Sequence, residues 1–218
     1  MAEKNHDRTE ELFQYVLAHG HNEEPLLREL EAETAKLGGA ARMQISREQG
    51  TFMSILTHAI GARSAVEVGT FTGYSSIAVA RALPSDGHLL CLDVSETFTS
   101  IARRFWEKAG VANKITLKIG PAIDALRALP ENYTIDIAFI DADKTNYAAY
   151  YEEILKRTRP DGLILIDNVM WYGRVLDDED QTEDTIGIRR INDLVASDTR
   201  VEAVMLPFAD GVTIARKK

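Results

Sequence analysis

Beyond Ser64 the chain alternates between short, almost continuously apolar runs and longer amphipathic segments, and this alternation constrains the fold more than any other feature. Each apolar run is rich in β-branched residues and precedes a segment with the periodicity of an amphipathic helix. Strands that are apolar throughout are typical of parallel sheets, in which helices cover both faces. The predicted strands are Ala65–Val68, Leu89–Val94, Ile115–Ile119, Ile135–Ile140 and Leu163–Ile166. The pattern therefore predicts an α/β protein with a doubly wound parallel sheet.

Two further strands, Val201–Leu206 and Gly211–Arg216, are predicted near the end of the chain, separated only by residues 207–210. A connection this short cannot contain a crossover helix, so these strands are predicted to be antiparallel neighbours. The sheet then has seven strands, the last of them antiparallel. Residues 1–60 have helical periodicity instead, and a capping-box pattern at Ser46 and Gln49 opens a helix that ends near Gly61. We predict one domain over residues 1–218, with residues 1–60 as a helical extension.

Charge and composition exclude several classes of partner. The formal net charge is −9 and the longest basic stretch is Arg216–Lys218, so nucleic acid is not an expected partner. No apolar run approaches the roughly 18 residues of a membrane span, so no membrane partner is expected. Met1–Glu10 is polar, unlike a secretory leader, and the single cysteine, Cys91, fits a reducing compartment. We therefore expect a cytoplasmic protein.

A glycine-containing turn follows the first predicted strand. Gly69 and Gly73 would allow a tight turn and the close approach of a ligand. Glu67, just before them, offers a carboxylate to an amino group or a hydroxyl. The spacing matches neither the dinucleotide nor the nucleotide-triphosphate fingerprint, so it does not favour a nicotinamide dehydrogenase. An ordinary strand-to-helix turn is the alternative explanation.

Asp93 is predicted at the end of the second strand, about 20 residues after the glycine turn, where an acidic side chain can accept both hydroxyls of a ribose. It could instead cap a helix that begins near Ser95. Ala122, in the turn after the third strand, would lie close to an adenine. Together with the glycine turn, these positions favour a nucleoside as the ligand.

Oxygen-bearing side chains follow the next two predicted strands. Asp141 comes after the fourth strand, and Asp167 with Asn168 comes after the fifth, so the three lie at neighbouring strand ends. Mg²⁺ prefers oxygen ligands of this kind. The alternative is that Asp141 and Asp143 cap a helix while Asp167 forms a turn. Capping does not explain acids at two neighbouring strand ends together with Lys144, so a metal site is predicted.

Taken together, these motifs resemble the cation-dependent O-methyltransferases, the family of the caffeoyl-coenzyme A and catechol O-methyltransferases, with the bacterial small-molecule branch the most similar. The resemblance extends from about Leu26 to Lys218. It rests on Met43–Ser46, Glu67–Ser75, Asp141–Tyr147, Asp167–Val169 and Leu206–Gly211. It implies a class I methyltransferase fold, which is Rossmann-like, and S-adenosylmethionine as the methyl donor.

The resemblance also implies which residues bind the methyl donor. The implied ligands of S-adenosylmethionine are Met43, Ile45, Glu67, Gly69, Phe71, Ser75, Asp93, Ala122, Asp141 and Asp143. Among them, Asp93 would hold the ribose and Glu67 the methionine end. Met43 and Phe71 would surround the sulfonium, because soft sulfur and an aromatic face suit a cation. Simple core packing is the alternative for these two side chains.

Catalytic, metal and substrate residues follow from the same resemblance. The implied ligands of a divalent cation, Mg²⁺ or another such as Mn²⁺ or Ca²⁺, are Asp141, Asp167 and Asn168. Lys144 matches the general base of the catechol-methylating members and would act beside Asp141. Trp171 and Tyr172 fall at the site of the aromatic substrate, and Tyr172 stands where the plant enzymes carry a substrate-binding asparagine.

An acidic run, Asp177–Asp180, lies in the loop that borders the acceptor pocket in this family. An acidic rim repels the phosphates of a coenzyme A thioester, so we expect a small free catechol as the acceptor, including one that carries an amine. A coenzyme A thioester as the acceptor and a non-catalytic S-adenosylmethionine-binding protein are the alternatives. Family members are commonly homodimers, and the apolar segments Leu12–Leu17 and Leu26–Leu37 fit a dimer interface. The N-terminal helices, together with Met43 and Trp171, are predicted to form a lid.

Overall fold

The computed structural model describes residues 10–20 and 24–218. Its strands are β1 (Ser64–Val68), β2 (His88–Asp93), β3 (Ile115–Ile119), β4 (Ile135–Ile140), β5 (Thr158–Asp167), β6 (Val201–Leu206) and β7 (Val212–Lys217). They form one sheet in the order β3-β2-β1-β4-β5-β7-β6. β1 to β5 are parallel, whereas β7 runs antiparallel to both β5 and β6. The predicted seven-stranded α/β sheet with an antiparallel last strand is confirmed.

Helices cover both faces of this sheet. In the described ranges the α-helices are α1 (Glu10–His19), α2 (Pro25–Ala35), α3 (Arg47–Ala59), α4 (Tyr74–Ala82), α5 (Glu96–Lys108), α6 (Ala122–Arg127), α7 (Tyr147–Arg157) and α8 (Glu183–Ser197). One apolar core joins α6, α7 and α8 to the sheet, and a second core joins α2 to α5 to its other face. Burial on both faces is what the continuously apolar strands require.

β1 lies inside the sheet, between β2 and β4, where the direction of strand addition reverses. Val66 of β1 pairs with Leu90 of β2 on one side and with Ala138 of β4 on the other. The chain first extends the sheet through β2 and β3, and then crosses back to β4 and β5. Ligands of doubly wound sheets bind at the carboxyl ends of the strands beside such a reversal.

Two strand predictions differ from the structure in burial or by more than one residue. β3 is an edge strand whose residues are only partly covered, with Ile119 exposed, so it is not buried on both faces as its apolar run suggested. β5 begins at Thr158 rather than at Leu163. Residues 159–162 are polar or turn-forming, Asp161 has a φ of +62°, and the β4–β5 pairing is irregular there. Because these residues are not apolar, the pattern of apolar runs did not indicate that β5 begins here.

The third helix begins as predicted. Ser46 Oγ accepts a hydrogen bond from the Gln49 amide at 3.3 Å, which satisfies one of the free amides at the start of α3. The helix ends at Ala59, slightly before the predicted end near Gly61. Leu30 of α2 is fully buried, so the second predicted helix packs on the domain through its apolar face.

The predicted dimer surface lies only partly within the described residues. Leu12, Tyr15 and Val16 of α1 are exposed, whereas the side chains of Phe13 and Leu17 lie outside the described residues. Residues 1–9 and 21–23 also lie outside them, so the polar segment at the start of the chain is not described. The homodimer, the lid, the single domain and the cytoplasmic location stay predictions. Over the described ranges, no helix is long and apolar enough to cross a membrane.

Candidate active site

A cavity of about 810 Å³ opens at the carboxyl ends of the central strands. Ligand sites commonly measure roughly 300–1,000 Å³, so it can take a nucleoside-containing ligand and a small acceptor together. The predicted site residues that line it are Met43, Ile45, Gly69, Phe71, Ser75, Asp93, Ala122, Asp141, Asp143, Lys144, Asp167, Asn168, Trp171 and Tyr172. The fold therefore brings the predicted cofactor, metal and substrate residues to one cavity, with Glu67 as the exception.

The glycine turn touches the end of β4. Gly69 has a φ of +89°, and a Cβ atom built there would lie 1.8 Å from the carbonyl oxygen of Asp141. The Asp141 amide in turn donates to the Val68 carbonyl at 2.8 Å. Only glycine combines this backbone conformation with so close a contact. The turn predicted to bind the cofactor is therefore held directly against the backbone of a predicted metal ligand.

Asp93 organises the same turn. Its Oδ2 accepts hydrogen bonds from the amides of Thr70 and Phe71, both at 2.8 Å, and its Oδ1 accepts from the Ser95 amide at 2.7 Å. α5 is capped by the Ser95 hydroxyl, which accepts from the Phe98 amide at 3.2 Å. The capping alternative therefore does not account for Asp93, which holds the glycine turn while it lines the cavity.

Met43 and Phe71 are both accessible from the cavity. Met43 is 46% exposed, so the core-packing alternative does not apply to it. Phe71 is half-buried, and its ring packs edge-on against Phe98 with 4.9 Å between the ring centroids. The positions of both side chains are compatible with contact to a cationic ligand.

Glu67 lies beneath the glycine turn rather than on the cavity wall. Its side chain is 1% exposed, and Cys91 Sγ lies 3.6 Å from its Oε1. Among the described residues Oε2 has no hydrogen-bond partner. Burial raises the pKa of Glu67 from 4.5 to about 8, so the acid stays protonated near neutral pH. From this position Glu67 can affect a ligand through the glycine turn above it, whereas a direct contact from the cavity wall does not fit its burial.

Glu67→Gln is expected to stabilise the ligand-free protein increasingly as the pH rises. Below about pH 4.5 the carboxyl is protonated in both the folded and the unfolded chain, so the variant gains nothing there. Between pH 4.5 and about 8 only the unfolded chain loses this proton, so wild-type stability falls with rising pH. Glutamine cannot ionise, so thermal unfolding at pH 8 should show a Tm gain of at least about 3 °C. A Tm difference that is constant from pH 5 to pH 9 would contradict the raised pKa.

Asp141, Asp167 and Asn168 meet where the neighbouring strands β4 and β5 end. Asp167 is 4% exposed, and burial together with the charge of Asp141 raises its pKa to about 7. The Asp143 side chain makes no capping hydrogen bond to the turn that follows it, whereas Asp167 Oδ1 does accept a hydrogen bond from the Asn168 amide at 2.8 Å. Only the turn at Asp167 is therefore observed from the alternative explanation. Because burial and a neighbouring carboxylate disfavour the charged form of Asp167, a bound cation would stabilise this site.

The carboxamide of Asn168 is needed to complete a set of three oxygen donors. No group of three or more His, Cys, Asp or Glu side chains placed to hold a metal occurs within residues 10–20 and 24–218. Two carboxylates and one carboxamide fit a hard divalent cation, which keeps several positions for water and substrate. The residues present therefore fit Mg²⁺ or a similar ion.

Two further residues support this cluster, and the sequence assigned neither of them a role in it. The Asp210 carboxylate accepts hydrogen bonds from Asn168 Nδ2 at 3.3 Å and from the Tyr172 amide at 2.7 Å. Because the side-chain nitrogen of Asn168 faces Asp210, its carbonyl oxygen is left for a cation. Gln49 of α3 is 2% exposed and its side chain lies against Asp167. The sequence signal for Asp210 was its place in the last motif of the family resemblance, which spans the β6–β7 connection.

Lys144 lies directly beside the carboxylates. It is 8% exposed, and its Nζ donates hydrogen bonds to Asp141 Oδ1 at 3.1 Å and to the Tyr147 hydroxyl at 2.7 Å. The amine also lies over the rings of Tyr147 and Trp171, 4.9 Å and 5.6 Å from their centroids. The candidate base and a candidate metal ligand are therefore in contact.

The backbone after β5 is strained. Asn168, Trp171 and Tyr172 have φ values of +57°, +48° and +54°, a conformation that costs energy for residues other than glycine. Such residues cluster at functional sites, where the surrounding structure holds them in place. Here the strain places Asn168 and Trp171 on the cavity wall, while Tyr172 stays 69% exposed at its edge.

The acidic run after Tyr172 does not form a rim to the cavity. Asp177, Asp178 and Glu179 are exposed and are not among the residues that line it. The Asp180 carboxylate instead pairs with the Arg174 guanidinium at 2.5 Å, which holds the pKa of Asp180 well below its ordinary value. The charged residues of this region that do line the cavity are Arg174 and Asp184. The acidic run therefore gives weaker grounds than the sequence suggested for preferring a free catechol over a coenzyme A thioester.

A family model described as O-methyltransferase matches residues 17–218. The chain belongs to this family. The relatives of this O-methyltransferase include the probable caffeoyl-CoA O-methyltransferase 1 of Dictyostelium discoideum, with 44% identity over 80% of this chain and 78% of that protein. The catechol O-methyltransferase domain-containing protein 1 of Mus musculus is 37% identical over 94% of this chain and 79% of its own.

A solved structure extends the similarity to the fold. The O-methyltransferase from Bacillus cereus, crystallised in complex with SAH, superposes with a TM-score of 0.86. It is 35% identical and covers 94% of this O-methyltransferase and 96% of its own chain. These similarities confirm the predicted membership of the caffeoyl-coenzyme A and catechol O-methyltransferase family and the class I fold. At the level of the family they also confirm the prediction of an S-adenosylmethionine-dependent O-methyltransferase.

Proposed function

We propose that this O-methyltransferase transfers a methyl group from S-adenosylmethionine to one hydroxyl of a catechol-type small molecule, with a divalent cation bound in the cavity. The observation that carries the proposal is the meeting of three oxygen donors, Asp141, Asp167 and Asn168, with Lys144 in the cavity that also contains the glycine turn and Asp93. S-adenosylhomocysteine is bound in the similar Bacillus cereus enzyme, which supports the same nucleoside ligand here.

The cofactor end of the cavity supports this donor. Asp93 would accept the ribose hydroxyls while it holds the turn through the Thr70 and Phe71 amides. Asp143 would hold the amino-acid end of the donor, and its carboxylate is oriented by hydrogen bonds from Tyr150 and Asn146, both at 2.5 Å. Charges with fixed partners lose little freedom when a ligand binds, so the site is organised before binding.

A divalent cation would be held by Asp141, Asp167 and Asn168, and when bound it polarises and orients a substrate hydroxyl as a Lewis acid. Asp210 would keep the Asn168 carbonyl oxygen directed at the cation. The neutral amine of Lys144 would accept the phenolic proton as the oxygen attacks the methyl group, while the methyl–sulfur bond breaks and S-adenosylhomocysteine leaves. Correct alignment of two bound reactants alone can supply on the order of 7–11 kcal/mol, so the positions of these side chains carry much of the catalysis.

A vicinal diol suits this arrangement because it offers two oxygens to one cation. Trp171 lies on the cavity wall and Tyr172 at its edge, so aromatic surface is available for the ring of the acceptor. Arg174 is already paired with Asp180, so it is less available to the phosphates of a coenzyme A thioester. These features favour a free catechol, and a coenzyme A thioester is the second candidate because relatives carry that name.

Methyl transfer is expected to depend on the cation. Purified protein would be incubated with labelled S-adenosylmethionine and either catechols or caffeoyl-coenzyme A, in Mg²⁺ or in EDTA. Removal of the metal should reduce product formation at least about 100-fold, because Lewis-acid stabilisation contributes several kcal/mol. Added Mg²⁺ in excess of EDTA should restore the rate.

Each alternative outcome has a definite meaning. Methyl transfer that survives EDTA contradicts the metal-dependent mechanism while leaving the methyl donor intact. A much higher kcat/KM for caffeoyl-coenzyme A than for free catechols would replace the proposed acceptor with the thioester. Tight binding of S-adenosylmethionine without transfer to either class would contradict a catechol-type acceptor.

A further inference from the structure

The amine of Lys144 is held in place more firmly than a lysine on a surface. A long side chain loses rotamer entropy when it is ordered, so a catalytic lysine needs partners that fix its end. Its partners here are Asp141, the ring of Trp171 and both the ring and the hydroxyl of Tyr147. The three differ in how firmly they are themselves fixed.

Tyr147 is the most rigid of these partners. It is fully buried at the start of α7 and packs in the core between that helix and the sheet. Trp171, in contrast, belongs to the strained turn after β5, and Asp141 is a proposed ligand of the cation. Lys144 begins the short 3-10 turn Lys144–Asn146 that leads into α7 at Tyr147, and this spacing of three residues brings the two side chains together.

The backbone of Lys144 is held from the opposite side. Gly187 of α8 approaches so closely that a Cβ atom built there would lie 2.4 Å from the Lys144 carbonyl oxygen. The absence of a side chain at Gly187 therefore lets α8 support the turn Lys144–Asn146 directly. With its backbone held by α8 and its amine held by Tyr147, Lys144 has both ends fixed.

We propose that Tyr147 is a positioning residue of the methyl-transfer reaction: its hydroxyl accepts a hydrogen bond from Lys144 Nζ and holds the amine facing the acceptor. Tyr147 is not among the residues that line the cavity, so it acts through Lys144 and does not touch the substrate. This inference rests on the proposed role of Lys144 as the general base.

Helix α7 offers two matched comparisons, because it carries three buried tyrosines whose hydroxyls have different partners. Tyr147 bonds to Lys144, Tyr150 donates to Asp143 Oδ1, and Tyr151 donates to Asp198 Oδ2 at 2.9 Å, away from the cavity. Replacement of each by phenylalanine removes one hydroxyl and keeps the ring. If the three variants lose different activities according to the partner of the missing hydroxyl, the losses cannot come from a general disturbance of α7.

Tyr147→Phe is expected to lower kcat roughly 10- to 100-fold, since a displacement of about 1 Å can cost that much. The KM of the catechol, the dissociation constant of S-adenosylmethionine and the Tm should stay close to wild type. Tyr150→Phe should instead weaken S-adenosylmethionine binding, and Tyr151→Phe should leave both kinetic constants unchanged. A kcat of Tyr147→Phe within about twofold of wild type, or an equal loss in Tyr151→Phe, would overturn the proposal.

Two further measurements separate this inference from the function on which it rests. Lys144→Met that retains full turnover overturns the base role itself, whereas an inactive Lys144→Met beside a fully active Tyr147→Phe overturns only the positioning role. The ε-methylene NMR signals of Lys144 give a readout independent of activity, because the rings of Tyr147 and Trp171 lie over the amine. We expect these ring-shifted signals to move towards ordinary lysine values in Tyr147→Phe, and unchanged signals would contradict the proposal.

Discussion

Asp141→Ala is expected to lower kcat at least about 100-fold while the dissociation constant of S-adenosylmethionine stays close to the wild-type value. The side chain of Asp141 is a proposed ligand of the cation and a hydrogen-bond partner of Lys144. Alanine removes both contacts, so the cation is held less tightly and the base loses one of its partners. The measurements are single-turnover rates with a catechol in saturating Mg²⁺ and calorimetric titration with S-adenosylmethionine.

Cofactor binding should survive because Asp141 contacts the glycine turn through its backbone. Its amide donates to Val68, and its carbonyl oxygen faces Gly69, and an alanine keeps both groups. The substitution should also remove a charge repulsion on the neighbouring Asp167, because the charge of Asp141 contributes to the raised pKa of Asp167. The variant is therefore expected to fold as well as wild type.

A matched control for this variant is Asp193→Ala, an exposed acid on α8 away from the cavity lining. It should have the wild-type kcat. Binding of Mn²⁺, followed by electron paramagnetic resonance, should weaken in Asp141→Ala and not in Asp193→Ala. Equal losses of turnover and of S-adenosylmethionine affinity in Asp141→Ala, accompanied by a lower Tm, would indicate a folding defect instead of a lost ligand.

Much of the site could be predicted because it lies at the ends of parallel strands. Once β1, β2, β4 and β5 are recognised as neighbours in one sheet, the residues just after them must share an edge. Asp93, Asp141 and Asp167 were predicted on this basis, and all three line the cavity. The sequence indicated the side chains at these ends, and the topology determined that they meet.

The residues that support this site could not be predicted in the same way. Tyr147 and Gln49 lie in amphipathic helices, where a buried aromatic or amide residue has the same pattern as ordinary core packing. Asp210 lies in the β6–β7 connection, and it reaches Asn168 only because β7 pairs beside β5. That pairing depends on the tertiary arrangement of the sheet, which the residues of the hairpin do not specify.

For Glu67 the sequence predicted the position in the chain and not the direction of the side chain. Its position before the glycine turn was predicted correctly, but a carboxylate at the end of a strand can point to either face of the sheet. In the structure it points into the core beside Cys91, with a pKa raised to about 8. A motif gives the residue type and the place in the chain, while the direction of the side chain depends on the register of β1.

Gly69→Ala is expected to reduce the free energy of unfolding by at least about 4 kcal/mol and to abolish binding of S-adenosylmethionine. A Cβ atom at this position would lie 1.8 Å from the Asp141 carbonyl oxygen, far inside van der Waals contact. The turn would have to move away from the end of β4, and the Thr70 and Phe71 amides that bond to Asp93 would move with it. Urea unfolding and calorimetric titration measure the two effects.

Gly110→Ala separates the clash from the backbone strain. Gly110 also has a positive φ, +68°, but nothing lies within 4 Å of a Cβ atom built there. Its substitution should cost only the roughly 1–2 kcal/mol of an alanine in the left-handed region and leave S-adenosylmethionine binding intact. If the two variants lose equal stability and both bind S-adenosylmethionine, the turn can shift at little cost. That result would contradict the inference that the close contact between Gly69 and Asp141 holds the cofactor turn against the metal ligands.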